Sequence, residues 1–267
     1  MAEMDRRIIF ALIAFSVAFP LVFKIGLPNR VTDEVKDVYD AINSLDSGAV
    51  VLVSFDHEAS SLPEIKPMAE AILRHCFSKN LKVISLALLA EGTAIGDEIT
   101  KNVANEYHRE YGRDYVFLGF RPQSTAAILG IGEDFHRVFS EDYKGNSTFE
   151  LEITKNIKNY DDISLIISIA DGDLPSYWIN YAGARYHKKI VTAVTAVMAT
   201  SYYPYLSSKQ ISGLVGGLKG AAEYEILIKK PGIGGKGMDA QSVAHTVILI
   251  LVVLGNISYF WSSKKKR

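Results

Sequence analysis

Seven side chains carry the chemistry that can be read from this chain: Asp56, His57, Glu91, Arg121, Ser124, Asp171 and Asp173. Each falls just beyond an apolar run, in Asp56-His57-Glu58, Glu91-Gly92-Thr93, Arg121-Pro122-Gln123-Ser124-Thr125 and Asp171-Gly172-Asp173. If Asp56, Glu91, Asp171 and Asp173 converge, they can hold a hard divalent cation such as Mg²⁺ or Ca²⁺, or share a proton for acid–base work. The same residue types also make turns and helix caps, because Asp bonds its own neighbouring backbone. Each motif alone is therefore better explained by local folding, and only the group taken together is as well explained by ligand binding.

What places these residues at one edge is an alternation of strand and helix. Ala49–Phe55, Leu81–Leu89, Asp114–Phe120, Asp162–Ala170 and Lys189–Val197 are short apolar, β-branched runs, as expected of strands buried on both faces. Amphipathic stretches separate them: Leu62–Ser78, Ile95–Tyr111, a Gly-loosened Ser124–Phe139, and Pro175–Tyr186, with Leu218–Ile228 after the last. A further helix, capped by Asn29 or Thr32, precedes the first strand with Val35, Val38, Tyr39 and Ile42 on one face. The pattern predicts an α/β domain with a doubly wound, Rossmann-like or flavodoxin-like parallel sheet of about five strands. Ligands of such sheets bind beyond the carboxyl ends of the strands, where the candidate residues lie. Residues 141–158 are polar and predict no clear element.

The ends of the chain are of a different kind. Val243–Trp261 has no charged residue if His245 is neutral, and it ends in Tyr259-Phe260-Trp261 before the basic 262–267. That is the length, aromatic belt and flank of a transmembrane helix. Arg6-Arg7 precede an apolar run from Ile8 to Phe23, which reaches about 20 residues if counted through Lys24 to Leu27. No A-x-A cleavage site closes it, so an uncleaved anchor is expected in preference to a signal peptide. Five zones follow: an anchor at 1–28, the α/β domain at 29–230, a Gly-rich linker at 231–242, a second span at 243–261 and a basic tail at 262–267. Basic residues at both ends place both termini in the cytoplasm and the domain outside it; Glu3 and Asp5 matter little, because the rule counts Lys and Arg.

Polar residues at or near membrane depth, Gln241, His245 and Asn256, predict contact with another helix, and Gln241 and His245 share a face. The aromatic clusters Tyr177-Trp178 and Tyr202-Tyr203-Pro204-Tyr205 predict packing, or contact with headgroups or a partner.

Several classes are excluded. A net charge of −1 argues against nucleic-acid binding. One cysteine, Cys76, on the apolar face of a predicted helix, allows neither an intrachain disulfide nor a cysteine metal cluster and reads as a buried thiol. The six histidines show no metal-ligand spacing, with His108 and His187 expected at the surface. Gly213–Gly220 lacks the Lys-Ser/Thr of a phosphate loop and sits before the last helix, so helix packing explains it better. There is no Gly-x-Ser-x-Gly elbow and no His-Glu-x-x-His helix.

Four strings together, Val51-Leu52-Val53-Ser54-Phe55-Asp56, Asn159-Tyr160-Asp161-Asp162, Gly213 to Glu225 and Gly237 to His245, resemble a prokaryotic family of membrane-anchored proteins that has no assigned activity. The resemblance spans most of the chain and supports the architecture without adding a catalytic residue. The expectation is a twin-anchored assembly or ligand-sensing component of a membrane complex, a homo-oligomer or a partner of other membrane proteins. The alternative is a membrane-tethered hydrolase that uses the strand-end carboxylates with a divalent cation.

Overall fold

The apolar runs become six parallel strands, β1 (Val50–Asp56), β2 (Lys82–Ala87), β3 (Tyr115–Phe120), β4 (Leu165–Ala170), β5 (Ile190–Val194) and β6 (Leu214–Gly216). The structure is a computed structural model and describes residues 5–23, 25–27 and 30–265, with side chains to residue 261. Expectations resting on Glu3, Lys24, Asn29 and the side chains of the basic tail at 262–267 lie outside those residues.

The strands lie in the order β3-β2-β1-β4-β5-β6. Every pairing is parallel, so the sheet is Rossmann-like, with its reversal of winding between β1 and β4. The order rules out the flavodoxin-like alternative. The expected count of about five is corrected to six, because β6 is only three residues long and hides in the glycine-rich stretch before the last helix of the domain. Position, not composition, makes it a strand: it completes the sheet against β5, with Ala193 opposite Val215.

Helices cover both faces. On one lie α2 (Asp33–Asn43), α3 (Leu62–Ser78), α4 (Gly92–Glu106) and α10 (Gly217–Leu227), packed over Val53, Phe55, Val83 and Ile167. Here Cys76 is fully buried, as expected, and His75 bonds the Tyr224 hydroxyl at 2.8 Å while stacking on Tyr39. The other face carries α5 (Ser124–Glu133), α6 (Phe135–Val138) and α7 (Leu174–Tyr177). A π-helical turn (Trp178–Gly183), α8 (Ala184–Tyr186) and α9 (Ala196–Ser207) complete that face. The helix expected over Ser124–Phe139 breaks at Asp134, whose carboxylate caps α6 through the Arg137 N–H. Tyr202 and Tyr203, expected beyond the fifth strand, lie in α9, whose start at Ala196-Val197 continues the apolar run of that strand and so concealed the helix. Residues 141–158 form turns, joined by one bridge between Glu141 and Ser147. His108 and His187 are exposed as expected, both in left-handed conformation.

The Gly-rich linker expected at 231–242 is not a linker. From Ile233 the chain is one helix, α11, continuous to Lys265. The cause is Glu225, which accepts from the N–H groups of Gly232 (2.9 Å), Gly234 (2.7 Å) and Gly235 (2.9 Å) and so satisfies the donors that open the helix. The glycines also allow the approach, since a Cβ on Gly234 would lie 2.8 Å from Glu225 and 2.9 Å from Ala221.

Among the described residues, Ile233–Trp261 is the helix long and apolar enough to cross a membrane. Only 6% of its apolar window is buried within the protein, unlike a core helix. The N-terminal helix α1 covers Arg6–Val22, 17 residues, short of the ~20 a span needs. The expected continuation toward Leu27 is not helical, because Gly26 and Leu27 turn their N–H groups onto Asp239 at 2.8 and 3.1 Å. A second transmembrane helix is therefore not established. α1 does pack along α11, with Ile9, Ile13, Ser16 and Pro20 its less exposed positions and Ala240, Ala244, Val247, Leu251 and Ser258 those opposite. Both rows step by three, four or, from Leu251 to Ser258, seven residues, the spacing of a coiled-coil seam, and small Ala and Ser let the backbones approach.

Candidate functional site

At the reversal between β1 and β4, the two strands end side by side, Asp56 opposite Ala170. This crevice is the ligand-binding position of the fold. Asp56 itself is 1% exposed. Strand alternation turns it onto the same face as Ser54, whose hydroxyl donates to it at 2.6 Å, and the Leu88 N–H at the end of β2 donates at 2.6 Å. Burial outweighs these donors and pushes the carboxyl up to about 6, with the Trp178 indole pulling it back weakly from outside hydrogen-bond geometry. A buried carboxyl raised in this way beside the crevice is a candidate for proton handling.

The neighbouring loops close over it. Asp171, first residue after β4, accepts from the Glu58 N–H at 2.8 Å and so ties the loop after β1 to the loop after β4. Gly92 opens α4 so close to β1 that a Cβ would lie 2.1 Å from the Phe55 carbonyl oxygen. His57 is fully buried. Its Nδ1 lies 3.2 Å from the Glu58 carbonyl, and Nε2 has no partner among the described residues. Burial lowers its pKa, opposed by the Glu58 carbonyl and by Asp171, so the ring is held toward its neutral form.

The structure thus gathers Asp56, His57 and Asp171 and scatters the other expected residues. Glu91 and Asp173 are exposed at the first turns of α4 and α7. The Arg121 guanidinium donates to the carbonyls of Val138 and Phe120 and lies over the Phe139 ring. Ser124 begins α5 and lines a separate open cavity of about 590 Å³ with Gln123, Thr125, Leu174 and Tyr177. Among the described residues no group of three or more His, Cys, Asp or Glu is arranged to hold a metal ion. Convergence of the four carboxylates on one cation, which the sequence left open, does not form among the described residues, because Asp56 is buried while Glu91 and Asp173 are exposed.

Two sets of residues went unread in the sequence. Ser54, Ser168 and Thr192 stand side by side on β1, β4 and β5, a row of hydroxyls on the face that also carries Trp178. Ser168 Oγ, Thr192 Oγ1 and Trp178 Nε1 are buried without a partner among the described residues. The signal was one hydroxyl residue within the apolar run of each of these strands. The π-helical turn that begins at Trp178 adds an irregularity of the kind common at functional sites.

The second set pins the domain to α11 and to the segments that follow α1. Besides Glu225 and Asp239, buried Glu223 accepts from the Thr32 N–H (2.9 Å) and hydroxyl (2.7 Å) and pairs with Lys219. A cavity of about 290 Å³ lies between these elements, lined by Gly26, Leu27, Ile226, Lys229 and Pro231. Three acidic residues in or next to small-residue runs, Gly-Ala-Ala-Glu-Tyr-Glu and Gly-Met-Asp-Ala, were the available clue.

Fold and crevice together define a Rossmann-like α/β domain joined without a linker to a long apolar helix. Comparison with protein-family models, curated proteins and solved structures finds no match.

On α11, the polar positions fall away from α1. Gln241, His245 and Asn256 are all exposed, and at 100° per residue they lie within about 60° of one another, roughly 130° from the seam. Asn256 bonds only back to the Val252 carbonyl, at 3.0 Å.

Proposed function

We propose that the chain is a membrane protein anchored through both ends, whose Rossmann-like domain serves as an assembly or ligand-sensing component of a membrane complex. One observation carries this reading: α11 leaves the domain as a single pinned helix and presents Gln241, His245 and Asn256 on a face that α1 does not cover. Polar side chains at membrane depth are costly against lipid and favour a second helix, either of another copy or of a different membrane protein. Pinning by Glu225 and Asp239 couples any rotation of that helix to the domain, as a sensing component requires.

In this arrangement α1 is the second membrane-embedded helix, supported along its seam by α11. Arg6, Arg7 and the basic tail keep both termini in the cytoplasm and the domain outside it. The resemblance to membrane-anchored prokaryotic proteins points the same way.

The decisive experiment compares wild type with Asn256→Leu in mild detergent by light scattering and by the proteins that copurify. The expected result is a discrete complex that the substitution weakens. A wild-type protein that is monomeric, copurifies with nothing and is unchanged by Asn256→Leu refutes the assembly reading.

A further inference from the structure

The direction in which α11 leaves the domain decides which edge of the sheet meets the membrane. β6 ends at Gly216 and α10 begins at Gly217, so the first turn of α10 marks the carboxyl edge. α11 runs back along α10: Gly232 and Gly234 lie against Glu225, Gly234 also against Ala221, and Gly237 against Leu218, where a Cβ would come within 3.0 Å. By Gly237 the helix has therefore climbed to the carboxyl edge, and every later residue extends beyond it. The same edge is continuous with the start of α9, since a Cβ on Gly217 would lie 2.8 Å from the Ala196 Cβ. It is continuous too with the start of α3, whose Glu64 accepts from the Ala196 N–H at 2.7 Å. Next to Ala196 stands Val197, 80% exposed at the tip of this edge.

The depth follows from helix geometry. Twenty residues counted back from Trp261 place the start of the hydrocarbon core at about Ser242. Gly237 is five residues earlier, or about 8 Å along the axis. The headgroup layer on each side of a bilayer is about 5–7 Å thick. The carboxyl edge thus falls at the outer boundary of that layer, with no linker to let it swing away.

We propose that the carboxyl edge of the sheet is a membrane-contacting surface, seated on the lipid headgroups, so that the crevice between β1 and β4 opens toward the bilayer. This rests on reading α11 as a membrane span. The exposed carboxylates there, Glu58, Glu91 and Asp173, fit headgroups that present an ammonium, as phosphatidylcholine and phosphatidylethanolamine do. Two of the cations near this edge are engaged within the protein: Arg121 donates to backbone carbonyls and Lys219 pairs with Glu223. The ligand class this geometry assigns to the crevice is one delivered from the membrane surface.

The test uses the full chain in phosphatidylcholine nanodiscs, with a nitroxide placed on one introduced cysteine at a time: Val197→Cys, Lys189→Cys and Val252→Cys. Val197 and Lys189 flank opposite ends of β5, roughly 20 Å apart along the strand direction. Cys76, fully buried and pushed up to about 12, takes no label. Relaxation by nickel chelated to a lipid headgroup should be several-fold stronger at Val197 than at Lys189. Val252 should stay shielded from a soluble nickel chelate. Equal headgroup relaxation at Val197 and Lys189, or stronger at Lys189, with Val252 still shielded, overturns the proposal and leaves the span intact. Exposure of Val252 to the soluble chelate removes the span and the proposal with it.

Discussion

Replacing Asp56 by asparagine should stabilise the protein at neutral pH and leave it unchanged in acid. The carboxyl is fully buried, and its pKa rises from 3.8 to about 6 on folding. A shift of ~2 units corresponds to ~3 kcal/mol between the two protonation states. The sign follows from which form the fold prefers. A raised carboxyl pKa favours the neutral acid, so its stabilising contribution is complete below 3.8 and is lost as pH rises through about 6. Asparagine imitates the neutral acid: its carbonyl oxygen can accept from the Leu88 N–H, and its amide can donate to the Ser54 hydroxyl. It does not ionise. The two proteins should therefore be equally stable near pH 4, and the variant should gain up to ~3 kcal/mol by pH 8. For a domain of this size that is a shift in Tm of about 6–12 °C. Thermal unfolding of the full chain in detergent, followed by the fluorescence of buried Trp178 from pH 4 to pH 8, measures the difference directly. Other titrating groups, His57 included, are common to both proteins and cancel. A difference that does not depend on pH, or a variant less stable at pH 8, refutes the claim that burial dominates this carboxyl.

Two further outcomes follow from the pins and the anchors. Glu225→Ala strands three glycine N–H donors at the start of α11, each bond to a charged group contributing ~1.5–3 kcal/mol. Partial relaxation to water should leave a local loss of ~3 kcal/mol, read as roughly 100-fold faster hydrogen exchange at Gly232, Gly234 and Gly235, with Glu225→Gln in between; unchanged exchange would show that the helix start needs no cap. For topology, a cysteine replacing Lys264 should be labelled only after the cytoplasmic membrane is opened, and one replacing Ser147 from outside; the reverse pattern defeats the orientation.

The sequence by itself determined the α/β alternation, the parallel sheet and the apolar C-terminal helix. Those depend on local periodicity: a strand buried on both faces must be apolar throughout, and a helix against lipid must be apolar all round. It also placed Asp56, His57 and Asp171 at strand ends, and Cys76 in the core. What it could not determine were properties set by residues far apart in the chain. Only the assembled sheet showed that Leu214–Gly216 is a sixth strand, because three residues have no periodicity of their own. The Gly-rich stretch at 231–242 read as flexible, since glycine alone favours disorder. The carboxylate of Glu225 and the close flank of α10 made it the start of a rigid helix. Side-chain direction scattered Glu91, Asp173 and Arg121 away from Asp56, and strand register alone aligned Ser54, Ser168 and Thr192. Tertiary structure also set the exit of α11 at the carboxyl edge of the sheet. No local pattern encodes that direction, because it is fixed by how two helices pack against each other.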